Sequence, residues 1–210
     1  IELQNMKAMV TEAMKAGAAG MSTGLIYPPG VFSKTEELIE LTRVVAKYGG
    51  SYFSHIRGEG PSLINAVKEA IEIGEKAATP VQISHHKAAG RRTWGKLKET
   101  LQLMEDARSR GIDVTYDQYP YTAGMTSLAT LLPPWVHEGG MDRLLDRVRD
   151  DETWMRIRGE LDRGTPDREN ILEEAGWDRI IVSSVKSESL KQVEGKSLAE
   201  ITKMLGKPDE

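Results

Sequence analysis

A unit of about thirty residues repeats through the first 125 positions of this chain, and it constrains the fold more than any other feature. Short apolar segments begin near residues 19, 51, 81 and 113, spaced 32, 30 and 32 residues apart, with a helical pattern in each interval. A strand, loop and helix at this period is the signature of βαβ crossovers, which place successive strands parallel in one sheet. Four such units make either half of a closed eight-stranded barrel or the core of an open doubly wound sheet. No Gly-x-Gly-x-x-Gly follows any of the four strands, so a dinucleotide site has no support.

The boundaries follow from punctuation. Helical periodicity runs from about Leu3 to Ala16, with Gly17 placed as a C′ residue, and the first strand covers residues 19–23. Ser33 with Glu36 three residues on reads as a capping box for a helix over Thr35 to Tyr48. Ser51 to His55 is the second strand, and Pro61 at the N1 position opens a helix to about Ala78. Val81 to His85 is the third strand, Thr93 to Arg110 the next helix, and Ile112 to Tyr119 the fourth strand. After Tyr119 the rhythm breaks. Residues 141–163 are polar and helical, residues 180–184 form a lone strand candidate, and Leu198 to Leu205 is helical. Residues 126–210 therefore read as a small α+β insertion or cap, and residues 1–125 as the repeating α/β unit.

Composition narrows the partners. A net charge of −4 lacks the basic stripe that a nucleic-acid surface needs. Apolar runs such as Val81 to Ser84 are far too short to cross a bilayer, which takes an apolar helix about six turns long. With no cysteine, no disulfide framework exists, and with no signal segment in view the expected location is cytoplasmic.

Chemistry gathers at the strand ends. In parallel α/β folds ligands collect at the carboxyl ends of strands. His55 and His85 close the second and third strands, one 30-residue unit apart. Neighbouring parallel strands lie ~4.8 Å apart, so imidazoles at equivalent positions can reach one zinc ion at ~2.0–2.1 Å. Each is equally a residue that hydrogen-bonds at the start of a loop, and a catalytic zinc takes three protein ligands as a rule. Strand alternation aims His86 away from His85, toward packing, and His137 is given no role. Arg57 and Lys87 each follow a histidine by two residues, and alternation turns both toward the same mouth. There they either hold a substrate carboxylate or pair with Glu59 or Asp117. Tyr27 and the cluster Tyr116, Tyr119 and Tyr121 line a pocket or serve as core.

The segments Gly24-Leu25-Ile26-Tyr27-Pro28-Pro29-Gly30, Ser54-His55-Ile56-Arg57-Gly58-Glu59, Ile83-Ser84-His85-His86-Lys87 and Asp117-Gln118-Tyr119-Pro120-Tyr121-Thr122-Ala123-Gly124 are familiar in this order and spacing. Together they resemble the N-acyl-D-amino-acid deacylase (D-aminoacylase) family of the amidohydrolase superfamily, from about Gly17 to Trp135. The resemblance implies a distorted (β/α)8 barrel, of which this chain would hold about strands four to seven plus a small insertion. It implies zinc held by His55 and His85, and a substrate pocket lined by Tyr27, Lys87 and Tyr119. It also implies a metal-assisted hydrolysis in which an aspartate acts as general base. By that pattern a His-x-His pair and a bridging cysteine are expected upstream of Ile1, and the aspartate downstream of Glu210. No catalytic residue is then expected within the chain, and the chain alone is expected to be inactive. Met125 stands where relatives commonly carry serine.

Two other readings compete. One keeps the chemistry but takes a cyclic amide, of the dihydroorotate or hydantoin kind, as substrate. The other is a non-catalytic half-barrel whose two open edges pair with a second copy of the chain.

Overall fold

The computed structural model describes residues 1–164 and 170–206. Residues 165–169 and 207–210, both inside the expected insertion, lie outside the described residues. Elements alternate as α1 (Glu2–Lys15), β1 (Gly20–Gly24), α2 (Thr35–Ala46), β2 (Ser51–His55), α3 (Leu63–Ala77), β3 (Val81–Ile83), α4 (Leu97–Ser109) and β4 (Val114–Tyr116). The four strands form one parallel sheet, as the thirty-residue unit predicts, and their order β1-β2-β3-β4 is that of a barrel wall and not of a doubly wound sheet.

The sheet buries one face and opens the other. Tyr52, Val81, Ile83 and Val114 are almost fully buried against Leu38, Leu63, Val67, Ile73 and Met104 of the helices. Their neighbours point the opposite way, and the register places Ser22, Phe53, Gln82 and Thr115 in one row across all four strands. That row is polar except for Phe53, and it is exposed or half-exposed. A continuous parallel sheet with helices on one face and a side-chain row on the other is the local architecture of a barrel wall. The chain is α/β with a partial barrel.

Several boundaries differ from expectation for local reasons. The capping box at Ser33 does not form, because Ser33 Oγ turns back to donate to the Gly30 carbonyl at 2.6 Å and Lys34 becomes the N-cap of α2. Pro61 lies just before α3, which starts at Leu63 with Ser62 as its N-cap. Arg91–Thr93 forms a separate 3-10 turn ahead of α4. The third strand ends at Ile83, not His85, and the fourth covers only Val114–Tyr116.

Beyond β4 the expected polar helix is two helices, α5 (Met141–Arg149) and α6 (Asp151–Arg163). Asp150 breaks the run and caps α6, its carboxylate accepting the Thr153 N–H at 2.8 Å. Leu144 and Ile157 meet Val136 in a second buried cluster, distinct from the sheet core, with Trp135 and Leu161 packed on it. The short α7 (Ile171–Ala175) and α8 (Leu198–Met204) complete the described elements. The strand expected over residues 180–184 is reduced to one antiparallel bridge between Ile181 and Ser197. Ser197 forms a capping box with Glu200 at the start of α8. Among the described residues no helix is long and apolar enough to cross a membrane.

Helix α3 lies very close to β3. A Cβ added at Gly74 would stand 2.1 Å from Val81 Cγ2 and 3.0 Å from the Thr79 carbonyl. Val81 is 1% exposed, and as a residue branched at Cβ it has little room to yield. In an open helix Gly→Ala gains up to about 1 kcal/mol. Here the overlap reverses the sign, and Gly74→Ala is expected to destabilise the fold by about 1–3 kcal/mol. Urea denaturation of both proteins checks this.

Candidate metal centre

His55 is the last residue of β2 and pairs in register with Gly24 of β1. Its ring packs against Tyr27 on one side, with centroids 5.0 Å apart, and edge-on against His85 on the other at 4.4 Å. Its Nε2 is buried with no hydrogen-bond partner. Burial, reinforced by the nearby His85 and Lys87, pushes its pKa down to about 4. At neutral pH this imidazole is therefore uncharged and carries a lone pair available for donation.

His85 reaches the same place by a different route from the expected strand end. The ladder continues one residue past β3, where the Ser84 N–H donates to the Ser54 carbonyl at 2.9 Å. The chain then turns. His85 adopts a φ of 41°. That is the left-handed region, which costs an L-residue about 1–2 kcal/mol. The Asp117 carboxylate holds this turn by accepting the His85 N–H at 2.6 Å and the Gln82 side-chain amide at 2.8 Å. Asp117 is thus a structural clamp, a role the sequence reading did not give it. His86 is buried, as expected, though the turn and not strand alternation puts it there. Its Nε2 lies 2.9 Å from Thr100 Oγ1 and its ring stands edge-on to Tyr116.

The cations divide. Lys87 stays at the histidines, with Nζ 2.6 Å from Glu59 Oε1, 3.0 Å from His85 Nδ1 and 5.5 Å from the centre of the Tyr119 ring. Arg57 does not join them. Its guanidinium grips Glu69 on α3 through Nε and Nη2, both at 2.9 Å, and donates from Nη1 to the Val31 carbonyl at 3.0 Å. These donors already hold the loops together, which leaves the fork turned toward the protein and away from a substrate carboxylate. Its partner is neither of the two acids the sequence suggested.

Glu59, named in sequence only as a partner for a cation, sits at the centre. It is 4% exposed, and Oε1 is 3.0 Å from His85 Nδ1 as well as 2.6 Å from Lys87. His55, Glu59 and His85 place one potential donor atom each within 4.8 Å of one another. Tyr119 flanks His85 at 6.3 Å and stacks with the exposed Tyr121. The Tyr27 hydroxyl lies 3.1 Å from Thr126 Oγ1, which brings the segment after β4 over the same strand ends. His137 is apart from the cluster, its Nε2 3.1 Å from the Ala129 carbonyl.

The donor set suits a zinc ion. Two imidazoles stand beside each other, one with a buried nitrogen that no other group satisfies, in a pocket with a carboxylate. No family model matches the chain. Among curated proteins it is similar to the D-aminoacylase of Alcaligenes xylosoxydans xylosoxydans, at 45% identity over 127 residues, 60% of this chain and 26% of that protein. The N-acyl-D-glutamate deacylase of the same organism is 41% identical over the same length and coverage. Among solved structures, the N-acyl-D-glutamate deacylase of Bordetella bronchiseptica superposes with a TM-score of 0.71 at 28% identity, over 99% of this chain and 35% of that one. That enzyme was crystallised with zinc and a phosphonate that mimics the tetrahedral intermediate of its reaction. The chain spans about a quarter of the length of the curated relatives it matches, and over that stretch it is similar to D-aminoacylases and N-acyl-D-amino-acid deacylases.

Proposed function

We propose that His55 and His85 are two ligands of a zinc centre that hydrolyses the amide bond of N-acyl-D-amino acids. One observation carries this reading: two imidazoles from adjacent strands meet edge-on at 4.4 Å, one of them holding a buried nitrogen without a partner. A buried, unsatisfied polar atom costs free energy that a metal bond would offset. The similarity to deacylases, one of them solved with zinc, supports the choice of ion and reaction. When bound, zinc supplies the Lewis acidity that lets an amide be hydrolysed near neutral pH.

The chain's own side chains supply the surroundings. His55 stays neutral, so it keeps its lone pair at the pH where hydrolysis would run. Lys87 holds a fixed positive charge beside the histidines, with the Tyr119 ring beneath it. It is close enough to attract the carboxylate of an N-acyl amino acid. Tyr27 covers the other side of His55 and is itself braced by Thr126. Arg57 holds the loop after β2 in place through Glu69. The same reading divides the chain near residue 125, with the barrel wall before it and a separate inserted region after it.

Replacement of either ligand is the first test. His55→Ala and His85→Ala are each expected to weaken zinc binding by at least about a hundredfold, beyond the roughly 10–100-fold that loss of an outer partner costs. Competition against a chromophoric chelator measures this. Release of free D-amino acid from N-acetyl-D-methionine, and not ring opening of dihydroorotate or hydantoin, is the expected activity. It is the activity expected of the whole protein, and it is assayed on the longest polypeptide of its reading frame. Wild-type zinc affinity in both variants would exclude the proposed ligands.

The pH dependence of the metal-free fold is a second test. The folded pKa of His55 lies at about 4, below its ordinary value of 6.5, so the unfolded chain binds more protons between these values. Stability then rises with pH across that window, and it is lost as pH falls from 6.5 toward about 4. His86, also lowered by burial, acts in the same direction. In chelator-treated protein, His55→Phe is expected to flatten this part of the melting-temperature profile. An unchanged slope would contradict the assignment.

A further inference from the structure

We propose that Arg57 is the positioning residue of Tyr27: its guanidinium fixes the far end of the loop that lays the tyrosine ring on His55. The inference rests on the reading of His55 as part of a hydrolytic zinc site, and it names the group that shapes the pocket on that side.

The loop from Gly24 to Val31 carries Tyr27 near its middle. At its entry, Gly24 pairs in register with His55, and the Leu25 N–H donates to the His55 carbonyl at 3.0 Å. At its exit, Arg57 Nη1 donates to the Val31 carbonyl at 3.0 Å. Between the two, the Tyr27 N–H donates to the Gly24 carbonyl at 3.3 Å, and the Tyr27 carbonyl accepts the Val31 N–H at 2.9 Å. The loop closes tightly on itself, since a Cβ added at Gly30 would stand 2.6 Å from the Gly24 carbonyl oxygen. His55 and Arg57, two residues apart, thus hold both ends of the loop. The stretch of chain that carries the imidazole also sets where the Tyr27 ring stands against it, at 5.0 Å between centroids.

The work at this position needs a guanidinium. Nε and Nη2 each meet Glu69 at 2.9 Å while Nη1 reaches the Val31 carbonyl, so one planar group joins α3 to the loop. Glu69 is itself held, because Thr35 Oγ1 at the start of α2 donates to its Oε1 at 2.8 Å. The Arg57 and Glu69 side chains are 27% and 13% exposed, so water competes little for these bonds. A rigid fork can grip a carboxylate with two nitrogens and still aim a third elsewhere. An ammonium on a flexible stem keeps the charge but not that geometry. With lysine at position 57, the Leu25 bond and the Tyr27 hydroxyl, 3.1 Å from Thr126 Oγ1, hold the ring without the far end of its loop.

A double-mutant cycle in the longest polypeptide of the reading frame tests the coupling, with kcat/KM for N-acetyl-D-methionine as the readout. Arg57→Lys is expected to lower kcat/KM about 10–100-fold, the cost of a misplaced pocket wall. In a Tyr27→Ala background the same substitution is expected to change it by less than about twofold, because two residues that act through one contact are not additive. Glu69→Gln, which keeps the acceptor for Thr35 but loosens the fork, is expected to give a smaller loss with the same dependence on Tyr27. A purely structural Arg57, or one that binds substrate itself, would instead lower kcat/KM by the same factor in both backgrounds, and that result overturns the proposal. So does an Arg57→Lys protein of wild-type activity. Crystal structures of wild type and Arg57→Lys give a readout that needs no activity: the Tyr27 ring is expected to withdraw from His55 while β1 and β2 keep their register. An unmoved ring overturns the positioning role. A wild-type protein that hydrolyses no N-acyl-D-amino acid, with the ring displaced in Arg57→Lys, contradicts the hydrolase reading and leaves the positioning of Tyr27 supported.

Discussion

The Asp117 carboxylate takes the backbone N–H of His85 at 2.6 Å, in a turn where His85 sits at φ 41°, and the geometry of the whole site depends on that bond. The His86 N–H to the Asp117 carbonyl at 2.8 Å supports the same turn, and loss of the Asp117 carboxylate would favour an extended His85 that follows β3 outward. With it, the His85 ring folds back to within 4.4 Å of His55. The second requirement is the parallel register of β2 and β3, which pairs Ser54 with Ile83 and sets His55 at the same height as the turn. Both are backbone facts, and both come before any question of metal or substrate.

Around that frame the charges are arranged so that each cation has its acid. Arg57 closes on Glu69, and Lys87 on Glu59, so the two residues that looked equivalent in sequence have different roles. One holds loops against α3. The other pairs with Glu59 at the rim of the histidine pair, its ammonium above an aromatic ring. On the proposed function the two imidazoles bind the ion, and Lys87 beside them meets the substrate's carboxylate.

Much of this was legible in the chain itself. The thirty-residue period specified four parallel strands, because βαβ units leave few alternatives, but not their order, which differs between a barrel and a doubly wound sheet. Strand ends then marked His55, His85 and Lys87. What escaped were features that depend on the return of one loop upon another. Nothing local to Ser84-His85-His86 signals a left-handed histidine, since its stabilising acid, Asp117, lies a whole βα unit further along the chain. Glu59 was visible as a partner for Lys87 but not as a neighbour of His85, because that contact needs both loops closed. Ser33 and Glu36 matched a capping pattern that failed once Gly30 offered its carbonyl, while the box that does form, at Ser197 and Glu200, went unread. In the region after Tyr119 the polar sequence hid a small core, since only Leu144 of α5 and Ile157 of α6 are fully buried.

In the proposed centre His55 and His85 together hold one ion. X-ray absorption at the zinc edge of the zinc-loaded protein tests it most directly. The expected spectrum shows two imidazole nitrogens at ~2.0–2.1 Å, with the outer-shell scattering characteristic of histidine rings. A shell of oxygens alone, or a single imidazole, would contradict it.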